Sequence, residues 1–164
     1  MPRDARVWKE GMVAGLLGAG GVAFWFLLVD LVGGGAFATP ELLGRTLFSV
    51  LGKGIDWSPL RYVLAYTVVH VAAFVVIGTI VAWIVEVSQR TPPVLVGLLL
   101  FFVIFEAGFY GLTALLSARA LLGELAWYQV GAANLVAAGL MGWYLWKRHP
   151  ELAERMTRVL GGQV

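Results

Sequence analysis

Hydrophobic residues in this chain fall into four long runs that are separated by short polar connections. The runs cover residues about 11–32, 60–87, 93–116 and 121–146. At about 1.5 Å of rise per residue, even the shortest would form a helix of roughly 33 Å, enough to cross a hydrocarbon core of about 30 Å. The pattern predicts an all-α membrane protein, in which residues 1–164 form a single membrane domain built as a four-transmembrane antiparallel helical bundle.

Two shorter amphipathic segments accompany the predicted spans. Residues 39–51 place apolar side chains at helical spacing after Thr39-Pro40-Glu41, in which we expect Thr39 to be the N-cap and Pro40 the first helical residue. This segment is predicted to be an extracytoplasmic interfacial helix. Ser58 and Pro59 are expected to begin the second span in the same way, and residues 150–160 are predicted to form a cytoplasmic amphipathic tail.

The distribution of basic residues orients this bundle in the membrane. Four spans place both termini on one side, and eight of the twelve Lys and Arg residues fall on that side, against four on the other. The eight are Arg3, Arg6, Lys9, Arg90, Lys147, Arg148, Arg155 and Arg158, and the four are Arg45, Lys53, Arg61 and Arg119. The positive-inside rule therefore predicts a multi-pass protein of the bacterial inner membrane with both termini in the cytoplasm.

Composition agrees with a membrane protein and excludes several classes of function. The chain is 60% hydrophobic and only 13% charged, whereas soluble domains are about a quarter charged. The net charge is only +2 and no Lys/Arg-rich block with interleaved aromatic residues exists, so we expect no nucleic-acid partner. The absence of cysteine excludes thiolate metal sites, iron–sulfur clusters and covalent c-type haem attachment.

The first span carries a face of small residues. Gly11, Gly15 and Gly18 recur at spacings of four and three, which lets another helix approach closely, and we favour packing within the chain over a dimer interface. The basic start resembles a signal peptide. However, the apolar run of residues 11–32 is longer than a signal h-region of about 7–15 residues, so we expect the first span to be retained.

The first third of the chain carries a resemblance to a known group of proteins. Its residues are Trp8-Lys9-Glu10-Gly11, Trp25-Phe26-Leu27-Leu28-Val29-Asp30-Leu31 and Thr39-Pro40-Glu41-Leu42-Leu43-Gly44. These segments resemble small, uncharacterised four-span integral membrane proteins of bacteria. The resemblance implies a four-span fold and no activity, cofactor or site residue.

Polar side chains inside the predicted spans are concentrated in the outer half of the bundle. Counting from the span midpoints places Glu106 and Asn134 near the membrane centre, with His70 and Tyr110 farther out. Tyr66 shares a helix face with His70, and Tyr110 shares one with Glu106, because each pair is four residues apart. Two arrangements stay open for these faces: His70 pairs with Glu106, or a neutral Glu106 bonds to Asn134 or Tyr66 and holds the helices in register. We expect little that is polar in the inner half beyond Thr79.

Two functions remain open at this point. The first is a non-enzymatic structural or accessory subunit that packs with a larger membrane complex or with itself in the lipid bilayer. The alternative is a membrane-embedded binding protein or proton relay, in which His70 and Glu106, with Tyr66, Tyr110 and Asn134, hold a lipid-soluble ligand such as a quinone, haem or pigment. We expect no metal site and no catalytic residue, because the chain has no Glu-x-x-His repeat, phosphate-binding loop or Ser/His/Asp set.

Overall fold

The computed structural model describes residues 3–50, 58–88 and 127–151 of the chain. Within these ranges the protein is all-helical, without a strand, as predicted. The helices are α1 (Arg3–Val32), α2 (Ala38–Val50), α3 (Pro59–Ser88) and α4 (Trp127–Arg148). The predicted third span, the beginning of the predicted fourth span and most of the predicted tail lie outside the described residues.

Two of these helices are long and apolar enough to cross a membrane. They are the segment Asp4–Val32 of α1 and the whole of α3, Pro59–Ser88. Only 17% of the apolar part of α3 is buried inside the protein, whereas a core helix of a soluble protein would be mostly buried. The length and apolarity of the two helices and the low burial of α3 together indicate a membrane protein. Helix α3 matches the predicted span 60–87 to within a residue at each end, while α1 begins well before residue 11.

Helix α1 is the element on which α3 and α4 pack, and both run antiparallel to it. Along α3, Gly11 lies against Thr79 and Ala19 lies against His70, so residue numbers fall on α3 as they rise on α1. The same holds for α4, where Glu10 meets His149 near the end of the helix and Gly18 meets Met141. Helices α3 and α4 are therefore parallel to each other. We call the end where α1 begins and α4 ends the terminal end, and the opposite end the loop end.

Glycines bring the backbones of α1 and α3 into direct contact. A Cβ atom added at Gly15 would lie 2.7 Å from the carbonyl carbon of Phe74, and one added at Gly78 would lie 2.5 Å from the nitrogen of Gly15. Real Cβ atoms do not come this close, so no side chain fits between the helices here. Gly18 faces both neighbours, because its added Cβ would meet Met141 of α4 at 2.7 Å and Phe74 of α3 at 2.9 Å. The small-residue face of α1 thus packs within the chain.

The connection from α1 to α2 turns sharply at the loop end and is held by Asp30. Gly34 (φ 82°) and Phe37 (φ 69°) both adopt the left-handed conformation. The carboxylate of Asp30 accepts hydrogen bonds from the Thr39 backbone N–H (2.9 Å) and from the Thr39 hydroxyl (2.6 Å), and both residues are buried. The prediction that Thr39 is the N-cap is therefore wrong: Thr39 lies inside the first turn, and Asp30 supplies the acceptor that an N-cap side chain would have provided.

Helix α2 packs against the first turn of α3. Gly44 allows this contact, since a Cβ there would lie 2.5 Å from the carbonyl oxygen of Tyr62. The Tyr62 ring lies 6.3 Å from the ring of Phe48, and the Arg45 guanidinium stands 4.7 Å above the centre of the Tyr62 ring. Helix α3 begins at Pro59, directly after Ser58, as predicted, and the Ser58 carbonyl accepts from the backbone N–H of Arg61 at 2.9 Å.

Candidate functional site

His70 lies near the middle of α3, between two aromatic rings of the same helix. Tyr66, Phe74 and His70 share a face because they are four residues apart. The imidazole stacks on the Tyr66 ring at 5.6 Å between centroids, and the Phe74 ring lies 4.8 Å away on the other side. The sequence-predicted pairing of Tyr66 with His70 on one face is therefore present, and Phe74 extends it by one more turn.

The imidazole of His70 points toward the backbone of α1. Its Nε2 atom is 3.4 Å from the carbonyl oxygen of Ala19. A carbonyl oxygen can only accept, so this contact is a hydrogen bond when Nε2 carries the proton. The glycine contacts of α1 make the approach possible, because they bring the backbone of α1 within reach of a side chain on α3. In that tautomer the lone pair of the imidazole lies on its other ring nitrogen, Nδ1.

Of the three other predicted site residues, the described part of the chain includes Asn134 and leaves out Glu106 and Tyr110. Asn134 lies on α4 and is half-buried. Glu106 and Tyr110 lie outside the described residues, so the expected pairing of His70 with Glu106 stays a prediction. The contact with Ala19 means that α1, which the sequence did not connect with His70, supplies a partner for this histidine.

A second set of polar contacts joins three helices at the terminal end. His149, which follows α4, places Nε2 at 2.9 Å from a carboxylate oxygen of Glu10 on α1, and both side chains are nearly buried. Arg6 on α1 donates to the carboxylate of Glu86 on α3 at 2.8 Å, and the Glu86 side chain is 9% exposed. These contacts tie the first turns of α1 to the ends of both neighbouring helices.

This set of contacts corrects the expectation that the inner half contains little polar beyond Thr79. Glu86 lies within the predicted second span and is buried. The Arg6–Glu86 contact had a signal in the sequence. An antiparallel pairing of the first two spans brings the basic start of α1 to the same end of the bundle as the last turn of α3. The predicted four-span topology also places Glu10 and His149 at the same end of the bundle, but no spacing in the sequence pairs these two residues.

Basic and aromatic side chains pair along the last turn of α4. The Lys147 ammonium stands 4.2 Å above the Trp143 ring, and the Arg148 guanidinium lies 5.5 Å from the Tyr144 ring centre. Trp143 and Trp146 are about half exposed. Tryptophan and tyrosine followed by Lys and Arg are typical of a helix end at a membrane–water interface.

One buried donor stands apart from these pairs. The indole Nε1 of Trp25, on α1, is buried and has no hydrogen-bond acceptor among the residues that the structure describes. Its ring packs against a cluster formed by Val22 and Phe26 of α1 and by Ala133 and Ala137 of α4. An indole N–H can only donate, so its requirement is for an acceptor oxygen.

The chemistry available in the described part of the chain is limited. No group of three or more His, Asp or Glu side chains there is placed to hold a metal ion. The side chains of Arg6, Glu10, His70, Glu86 and His149 contact other elements of the fold, so their geometry is that of contacts that hold a bundle together. No protein-family model, no curated protein and no solved structure matches this chain.

Proposed function

We propose that this chain is a small, non-enzymatic protein of the bacterial inner membrane, a structural or accessory subunit that packs with a partner complex or with itself. The observation that supports this proposal is the use of polar side chains between helices. Arg6 pairs with Glu86, Glu10 with His149, and His70 with the backbone of α1. Catalytic groups are normally aimed at a cleft that admits a substrate, whereas these groups are aimed at other elements of the same fold.

The proposed architecture is a four-span antiparallel bundle. Helix α3 ends at the terminal end, where Glu86 meets Arg6, and α4 begins at the loop end, because it runs antiparallel to α1. The intervening chain, residues 89–126, must therefore connect opposite ends of the bundle, and it contains the apolar run 93–116. A third span over 93–116 satisfies this requirement. The bias of Lys and Arg toward the terminal end supports cytoplasmic termini and an extracytoplasmic position for α2.

The outward faces of the described helices fit a membrane subunit. Phe24 and Leu28 on α1 and Val68 and Val76 on α3 are 45–69% exposed. An apolar outer surface of this kind suits contact with lipid acyl chains or with the transmembrane helices of a partner.

Isolation of the protein in its native complex tests the proposed function. We would purify it in mild detergent and identify everything that is bound by mass spectrometry, comparing the parent with His70→Ala and Glu106→Gln. The proposal expects a constant protein partner, or a defined homo-oligomer, in all three samples. A stoichiometric quinone, haem or pigment that is lost in both variants would refute it and would support the alternative ligand site at His70 and Glu106.

Cysteine labelling tests the proposed topology. The chain has no cysteine, so a single introduced thiol is the only labelled site. Lys53→Cys should react with a membrane-impermeant maleimide in spheroplasts, and Arg90→Cys should react only after the membrane is opened. Labelling of both positions from the same side would refute the four-span arrangement.

A further inference from the structure

The last turns of α4 present a cation, aromatic rings and an open slot on one outward face. Gly139, Trp143 and Lys147 are four residues apart, so they share this face, and Gly142 and Trp146 form the neighbouring row. All five residues are exposed. A Cβ atom added at either glycine would meet nothing within 4 Å, so the two glycines leave a shallow opening in the helix surface, which we call the glycine slot.

The ammonium group of Lys147 is placed to attract an anion. It stands 4.2 Å above the Trp143 ring, and no carboxylate in the described part of the chain forms an ion pair with it. The ring contact does not neutralise the positive charge, and an ammonium has three N–H donors. Arg148, whose guanidinium lies 5.5 Å from the Tyr144 ring centre, adds a second positive charge at this end of α4.

The packing of α4 on α1 gives the depth of this face. His149, two residues after Lys147, contacts Glu10, which directly precedes the apolar run 11–32 of α1. Lys147 therefore lies level with the start of that run, at the boundary between hydrocarbon and water. Gly139 comes eight residues before Lys147 and so lies about 12 Å deeper along the helix.

Exposed tryptophans on three helices mark the same boundary. Trp8 near the start of α1 and Trp83 near the end of α3 are 58% and 59% exposed, and Trp143 and Trp146 of α4 are 56% and 49% exposed. Tryptophan rings are enriched at the level of the lipid headgroups, because one edge of the indole is apolar and the other can donate a hydrogen bond. The terminal end thus has the surface of a membrane interface.

We propose that this face of α4 binds one anionic phospholipid, with the phosphate at Lys147, the glycerol region beside Trp143 and an acyl chain in the glycine slot. Cation, aromatic ring and open slot follow one another along α4 in the order of the headgroup, glycerol and chains of a phospholipid. An anionic headgroup is favoured over a zwitterionic one, because the ammonium of the latter would be repelled by Lys147 and Arg148.

A second copy of the chain fits this face less well than a lipid. Two copies related by a twofold axis along the membrane normal would place equivalent residues opposite each other, and Lys147 would then face a like charge. A phosphate oxygen, in contrast, accepts from the ammonium and neutralises it. The inference goes beyond the proposed function, since it holds with or without a protein partner and requires only that the terminal end lies at a membrane surface.

Native mass spectrometry in mild detergent tests the headgroup. Palmitoyl-oleoyl phosphatidylglycerol (POPG) is titrated onto the protein, beside the zwitterionic phosphatidylcholine with the same chains (POPC), and the dissociation constant of the first bound lipid is measured. The parent should bind POPG about five times more tightly than POPC, which is the contribution of one basic side chain near an anionic headgroup. Lys147→Gln should abolish this preference, and Lys147→Arg should retain it.

Arg61→Gln is the matched control for the loss of one positive charge. Arg61 is exposed in the first turn of α3, at the loop end. This variant should keep the preference of the parent for POPG. An equal loss in Lys147→Gln and Arg61→Gln would show a general attraction by net charge, and equal binding of POPG and POPC by the parent would show no selectivity for the headgroup. Either result would overturn the proposal.

The glycine slot is tested by filling it. The double variant Gly139→Leu, Gly142→Leu should bind POPG roughly threefold more weakly, because about five carbon–carbon contacts with the acyl chain are lost. Gly20→Leu, at an open position on α1, is the control and should bind like the parent. A large excess of sodium phosphate should not displace POPG. Displacement would identify a site for free phosphate, and unchanged binding by the double variant would remove the acyl chain from the site, so either would overturn the proposal.

Discussion

The close contact between α1 and α3 makes a specific prediction for Gly15. An added Cβ there would lie 2.7 Å from the carbonyl carbon of Phe74, against an ordinary contact distance of about 3.4 Å or more. Because the obstacle is helix backbone, Gly15→Ala must push the two helices apart by several tenths of an ångström. Overpacking of this kind costs about 1–3 kcal/mol.

Gly20 provides the matched control on the same helix. It is exposed, and a Cβ there meets nothing within 4 Å. Both Gly15→Ala and Gly20→Ala gain helix propensity of up to about 1 kcal/mol, so the difference between the two variants isolates the steric cost. We therefore expect Gly15→Ala to be less stable than Gly20→Ala by about 1–3 kcal/mol.

Unfolding in mixed micelles measures this difference. The SDS mole fraction is raised in a mild detergent, and tryptophan fluorescence reports the folded fraction of each variant. A separation of 1.4 kcal/mol corresponds to a tenfold change in the unfolding equilibrium constant, which this assay resolves. If the two variants agree within about 0.5 kcal/mol, the close approach of α1 and α3 is refuted.

The polar contacts make three further predictions, all measured by the same unfolding assay. Asp30→Ala should destabilise the protein by about 2–3 kcal/mol, because two buried hydrogen bonds lose their charged acceptor, and it should speed proteolysis within α2. Glu10→Ala and His149→Ala should each be destabilising, but the double variant should cost at least about 1 kcal/mol less than their sum; strict additivity would contradict a direct contact. Arg6→Ala should cost about 1–3 kcal/mol because it removes a charged hydrogen bond from the buried Glu86 carboxylate, whereas Arg45→Ala, in the more exposed ion pair of α2, should cost less than about 1 kcal/mol; equal effects would contradict the difference in burial.

The candidate site was only partly predictable. The Tyr66–His70 face follows from spacing alone, since residues four apart on a helix are neighbours wherever that helix packs. The contact of His70 Nε2 with Ala19 does not follow from spacing, because it depends on how closely α1 approaches α3. Trp25 was also missed: its sequence neighbours are apolar, and a buried N–H with no acceptor among the described residues is visible only once the surrounding side chains are placed.

Local features of this protein could be predicted from neighbouring residues in the chain. The length and apolarity of residues 11–32 and 60–87 established two helices that can cross a membrane, and Ser58-Pro59 marked the start of α3, because hydropathy and helix signals are properties of neighbouring residues. Tertiary structure decided the contacts between helices. Glu10 finds His149, Arg6 finds Glu86, and Asp30 replaces Thr39 as the cap of α2, since each pairing depends on the register and separation of packed helices and leaves no periodic signal in the chain.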